Sequence, residues 1–131
     1  MTDILLSVHP RWADLIIERK KTIEVRRTWI QKLECGDTIY LYSTSPVKKI
    51  VGQCTFYWDW PGNCDCPDWM LMLACLSRDE LAAYLPWPRY GHFLEVIDPK
   101  RYDEPRPLSD FGLARPPQSF RYVDKSPSGS V

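Results

Sequence analysis

At 131 residues the chain has the length of one domain with a single core of ordinary size. Lysine plus arginine and aspartate plus glutamate both number 17, so no global field draws it toward a long nucleic-acid duplex. No apolar run approaches the ~20 residues of a membrane-spanning helix, Asp3 stands where a secretory leader would be basic, and five cysteines without a scaffold spacing suit a reducing cytosol and no disulfide.

Ile4 to Val8 predict a buried first strand. Pro10 then suits the first turn of a helix over residues 10–19, where its missing N–H is no loss. Trp12, Ala13, Ile16 and Ile17 fall on one face of that helix, and Arg11, Asp14 and Glu18 on the other. Thr22 to Arg27 alternates with period two. Ile23 and Val25 point one way and Thr22, Glu24 and Arg26 the other, as in a half-buried strand. Residues 11–27 hold six basic side chains against three acidic ones, a local +3. On a neutral protein such a patch favours a small anionic or nucleotide-sized partner, or a short RNA.

Glu34-Cys35-Gly36-Asp37 is a turn signal, and Thr38 to Ser43 a strongly β-favouring run. Ile50 to Trp58 is the longest strand candidate, with Gly52 marking a bulge or a close backbone approach. Asp59 to Pro67 reads as an irregular turn. Asp68 to Leu76 reads as a buried helix, apolar on nearly every side. Ser77 and Glu80 form a capping box for a helix through Leu85, stopped by Pro86 and Pro88. Gly91 to Ile97 is the last long strand, and Tyr102 to Pro107 extends from it. Leu108 to Phe111 forms one helical turn, and Gln118 to Val123 closes the sheet. Residues 124–131 are expected to be a disordered tail on a single domain of residues 1–123. Short strands broken by turns, with two or three short helices, make the fold class α+β, mainly β: a small barrel of mostly antiparallel strands.

Lys21, Glu24 and Arg26 are the candidate site. Arginine offers a planar fork for a phosphate or a base edge, lysine a point charge or a desolvated base, and glutamate a proton acceptor. A surface Glu–Arg pair worth under ~1 kcal/mol would leave the same pattern. His9 and His92, at the two ends of predicted strands, are either acid–base groups in a cleft or satisfied structural histidines. Ser7, Ser43, Gln118 and Ser119 are small polar groups at strand ends, and each is a ligand contact or a cap. Cys64-Asp65-Cys66 lacks the second ligand pair of a zinc site, so no metal is expected. Trp58, Trp60, Trp69 and Trp87 serve either as core and lid or as stacking surfaces.

The run Ser7, Pro10, Trp12, Ala13, followed by Lys21, Glu24 and Arg26, resembles the ASCH-domain family, whose mark is G-x-K-x-x-E-x-R after S-x-x-P-x-(W/Y)-A. Arg19 stands at the family's glycine. The segments C-L-S-R-D-E-L-A-A-Y-L, Y-D-E-P-R-P-L-S-D-F and R-P-P-Q-S-F-R-Y-V are similar to its phage and bacterial branch. The resemblance implies a PUA-like pseudo-barrel with strand ends and the P-P-Q-S turn facing a central cleft. It implies a cytoplasmic, cofactor-free monomer that binds RNA or a nucleotide-like ligand through Ser7, His9, Lys21, Glu24, Arg26, Ser43, His92, Gln118 and Ser119. The alternative it carries is a hydrolase of acylated nucleosides or RNA, with Lys21 and Glu24 catalytic. In the related deacylase a threonine stands where Glu24 does, and its glutamate has no counterpart here. A protein-interaction module would instead use an exposed Trp58–Trp69 patch.

Overall fold

Two long strands carry the sheet in the computed structural model, which describes residues 2–123; the tail expected over 124–131 lies outside them. The element order is β1 (Asp3–Val8), α1 (Pro10–Ile17), β2 (Ile23–Arg26), β3 (Thr38–Ser43), β4 (Lys49–Gly62), α2 (Asp68–Ala74), α3 (Arg78–Tyr84), β5 (Gly91–Arg106), a 3-10 turn at Leu108–Phe111, and β6 (Phe120–Val123). The strands form one mixed sheet in the order β2-β5-β4-β3-β1-β6, curled into a half-barrel. Among the described residues only the β1–β3 pair is parallel, and the other four pairs are antiparallel. The mainly β, mostly antiparallel class expected from the pattern is the one found.

The ladder of β4 with β5 shifts register between Ile50 and Gly52, Gln53 and Thr55, and Phe56 and Trp58. Each irregularity adds local twist, and repeated ones curl the sheet. Gly52 is the close approach its position suggested. A Cβ there would sit 2.3 Å from the Lys100 carbonyl oxygen.

Four local expectations change. Strand β4 runs on through Asp59, Trp60 and Pro61, which read as turn. Pro61 pairs with His92 on one side only, because β3 leaves β4 at Thr55, and a proline is tolerated where no neighbour needs its N–H. Strand β5 is continuous across Asp98 and Pro99, where Asp98 takes a φ of 51°. Helix α2 is not buried all round. Met70, Leu71 and Ala74 are buried, while Trp69 and Leu73 are exposed and Met72 is 75% exposed. Strand β2 is not half-buried, since Glu24 is buried as well as Ile23 and Val25.

The last change follows from the layering. Helix α1 closes one face of the sheet over Ile4, Leu6, Val8, Ile39, Leu41, Phe56 and Leu94, with Ala13 and Ile16 inserted. Helices α2 and α3 cover Ile23, Val25 and Phe93 on the other side of β2 and β5. Helix α1 ends in a Schellman closure. The Arg19 amide donates to Ile16 and the Lys20 amide to Leu15, with Arg19 at φ 66°. Arg19 therefore bears the left-handed conformation for which a glycine would be suited.

Candidate functional site

The Schellman turn delivers Lys21 into the space between α1, α2 and β2, where its side chain is 2% exposed. Its ammonium donates to the Ala74 carbonyl, at the C-terminal end of α2, where partial negative charge gathers. Nζ lies 3.6 Å from Glu24 Oε1 and 4.7 Å from the centre of the Trp12 ring. Burial pulls the Lys21 pKa down, and the Glu24 carboxylate, next in size, holds it up.

Glu24 is shared. Its Oε2 accepts from Arg26 Nη1 at 3.0 Å, so one buried carboxylate bridges two cations. Arg26 spends its fork on the protein. Nη1 also donates to the Ser7 carbonyl at 3.2 Å, and Nη2 donates to Ser119 Oγ at 2.7 Å and to the Ser119 carbonyl at 3.4 Å. The guanidinium thereby ties β2 to the end of β1 and to the segment entering β6, and it fixes Glu24. Ser7 joins the same lock: its amide donates to the Ser119 carbonyl and its hydroxyl to the Pro117 carbonyl at 2.7 Å.

A cavity of about 510 Å³ opens beside this cluster, lined by Ser7, His9, Lys21, Glu24 and Arg26 among others. His9 is the N-cap of α1, its Nδ1 accepting from the Arg11 amide at 3.3 Å. Two arginine-capped rings, Trp12 and Tyr84, also line the cavity. The Arg11 guanidinium lies 4.2 Å from the Trp12 ring centre, and the Arg27 guanidinium 4.2 Å from that of Tyr84. Among the charged lining residues, Lys21, Arg26 and Arg27 face Glu24 and Glu80, a formal +1.

Of the residues singled out in the sequence, Ser7, His9, Lys21, Glu24 and Arg26 share this cavity, and Ser119 holds Arg26 from behind. Ser43 is buried in β3 beside Val8 and is not among the lining residues. His92 is opposite Arg26 in the β2–β5 ladder, but its Nδ1 meets the Asp59 carboxylate at 3.1 Å and its ring packs on Trp29. Gln118 is not among the lining residues. Trp12, Arg27, Glu80 and Tyr84 enter the site without having been singled out for it. Trp12 belongs in sequence to the apolar face of α1 and to the family's lead-in, and Glu80 to a cap, which it is, while also pairing with Arg11 at 3.2 Å. The Arg27–Tyr84 contact joins elements far apart in sequence, and no local signal announces it. Among the described residues no group of three or more potential ligands gathers for a metal.

The charged cluster and the curled sheet together agree with one family model. Residues 6–56, from the middle of β1 to the middle of β4, match the ASCH domain. The fold is that of an ASCH domain. A crystal structure of a tyrosine-to-phenylalanine variant of the Zymomonas mobilis ASCH protein aligns with a TM-score of 0.82 at 22% identity, covering 95% of this chain and 92% of that one. The structure of ASCH from the same organism gives 0.79 at 22% identity, with 94% and 88% covered. A serine-to-alanine variant gives 0.79 at 23%, with 94% and 89% covered. These likenesses extend the ASCH fold past the matched segment to the C-terminal strands. No curated protein matches the chain by sequence.

Proposed function

We propose that the cleft of this ASCH domain binds a nucleoside-sized ligand, free or as one residue of a single-stranded RNA. The observation that carries the reading is the convergence of Lys21 and Glu24 with Ser7 and His9 on one cavity of about 510 Å³. That volume falls within the ~300–1,000 Å³ of ordinary small-ligand sites. The Trp12 and Tyr84 rings offer flat apolar surface to a base, Ser7 and His9 offer polar atoms to a sugar, and the formal +1 favours a phosphate. Arg26 serves as the positioning residue for Glu24 in this reading. In keeping with the C-terminal segments around Ser77 and Pro116, we place the chain in the phage and bacterial branch, acting as a cytoplasmic monomer.

Isothermal titration of the full chain with cytidine, uridine, their monophosphates and short single-stranded RNAs tests it. Binding that falls at least about tenfold in Lys21→Met and Glu24→Gln, with both variants folded, supports it. Absence of binding to all of these ligands overturns it.

A second reading is favoured by the lowered pKa of Lys21 beside a carboxylate. A lysine that releases its proton more readily can take one from water, with Glu24 placed to accept it in turn, which is the acid–base pair a hydrolase needs. Multiple turnovers of N-acylated cytidine or of short RNA, lost in both variants, would make the domain an enzyme.

A further inference from the structure

Strand β2 is an edge strand, and its outer side faces the cleft. The Val96 amide donates to the Thr22 carbonyl at 2.9 Å, which sets the alternation of the β2–β5 ladder. In an antiparallel pair, alternate residues exchange bonds with the partner and the ones between turn their backbone outward. The Thr22 carbonyl and the backbone of Glu24 and Arg26 therefore face β5, while the backbone of Ile23, Val25 and Arg27 faces away and the Thr22 amide, just before the strand, turns outward. The Arg26 carbonyl agrees, since a Cβ on Gly91 of β5 would lie 2.8 Å from it.

This outward edge is closed at both ends. At one, α2 packs on it: the Thr22 amide donates to the Leu73 carbonyl, and Ile23 is wholly buried. At the other, the Arg27 side chain folds over Tyr84, with Nε donating to the Tyr84 carbonyl at 3.1 Å. Val25 remains between them. Its side chain belongs to the apolar cluster of Phe93, Leu81 and Leu85, on the face opposite Glu24 and Arg26, yet Val25 lines the cleft. Glu24, Val25, Arg26 and Arg27, consecutive along β2, all line the cavity, so the edge of the strand borders it. Among the described residues, no hydrogen bond outside the sheet engages the Val25 N–H or C=O.

We propose that the Val25 N–H and C=O read the hydrogen-bonding edge of a nucleobase in this cleft, an inference that rests on the nucleoside reading above. A strand residue presents its donor and acceptor side by side on one edge. Their complement is a planar group with an acceptor next to a donor, such as uracil N3–H with O4 or cytosine N3 with N4–H. An added peptide strand would need several free residues in a row, and this edge offers one. The backbone reads the base edge while the rings of Trp12 and Tyr84 border the same space.

The test uses the full chain and two ligand pairs: uridine against N3-methyluridine, and cytidine against N4,N4-dimethylcytidine. Methylation of the edge should weaken binding at least about tenfold in each pair that binds. Equal affinity within the pairs overturns the inference and leaves the nucleoside reading standing. Failure of all four to bind overturns both, and tighter binding of an extended tetra-alanine peptide than of any nucleoside also overturns the inference. On the protein side, Val25→Pro removes the outward N–H at an edge position where proline is tolerated, whereas Val25→Ala keeps it. The proline variant should lose the same tenfold and the alanine variant should not. If the proline variant fails to fold, the ligand pairs decide alone.

Discussion

The Lys21 ammonium and the Glu24 carboxylate lie 3.6 Å apart with side chains only 2% and 7% exposed. Removing one partner of a buried pair strands the other charge, at a cost of about 3–5 kcal/mol. The two partners are not equivalent here. Glu24→Leu leaves Lys21 and Arg26 facing each other without a counter-ion, whereas Lys21→Leu leaves Glu24 still bonded to Arg26. Urea unfolding should therefore rank Glu24→Leu as the more destabilised, by about 1 kcal/mol or more, and equal losses would mean that Arg26 does not hold Glu24.

The same pair gives a pH dependence. Burial lowers the Lys21 pKa below its ordinary 10.5, against the opposing pull of Glu24. Between the lowered folded value and 10.5, the unfolded chain keeps the proton and the folded chain has released it. Stability contributed by this group therefore rises with pH through that window, and its full penalty is present below it. Burial shifts the Tyr102 hydroxyl upward, so that group lowers stability as pH passes 10.0. The clean measurement is the difference between the natural chain and Lys21→Met, which should move in favour of the natural chain as pH climbs toward 10.5.

Arg19 occupies the left-handed position of the Schellman turn at φ 66°. That conformation costs a non-glycine residue roughly 1–2 kcal/mol, part of which a glycine gives back as chain entropy. Arg19→Gly should raise stability by about 0.5–1 kcal/mol, read as an upward shift in thermal midpoint. A downward shift would show that the arginine side chain contributes more than the strain.

At Gly52 the direction reverses. An alanine Cβ would meet the Lys100 carbonyl oxygen at 2.3 Å, backbone against backbone in the centre of the sheet. Gly52→Ala should lose about 1–3 kcal/mol or more, because the β4–β5 ladder must shift to admit it. An unchanged unfolding midpoint would refute the close approach.

The five thiols should separate by accessibility. Cys54 is buried, and burial, reinforced by the Glu24 charge, pushes its pKa up; burial raises Cys66 as well, against Arg78. Cys35 is exposed and Cys75 half-buried. In the folded chain an aromatic disulfide reagent should modify Cys35 first and Cys75 next, with Cys54 reacting only on unfolding. Rapid native-state labelling of Cys54 would contradict the packing of the core beneath α1.

Much of this is legible in the sequence alone. Period-two runs named the strand cores, the Ser77–Glu80 box and Pro10 named the helix starts, and Lys21, Glu24 and Arg26 announced a charged cluster, because each signal is carried by residues within a few positions of one another. Proline misled at Pro61 and Pro99, where a long strand continues past it. Whether a missing N–H matters depends on a neighbouring strand, which local sequence does not contain. Tertiary structure alone decided that Glu24 would be buried between two cations and that Arg26 would spend its donors on Ser7 and Ser119. It also decided that Tyr84 and Arg27 would join the cleft. Those facts depend on where β1, α3 and β6 come to rest against an edge strand. Contacts between residues dozens of positions apart are set by the closing of the sheet, and no stretch of the chain states them by itself.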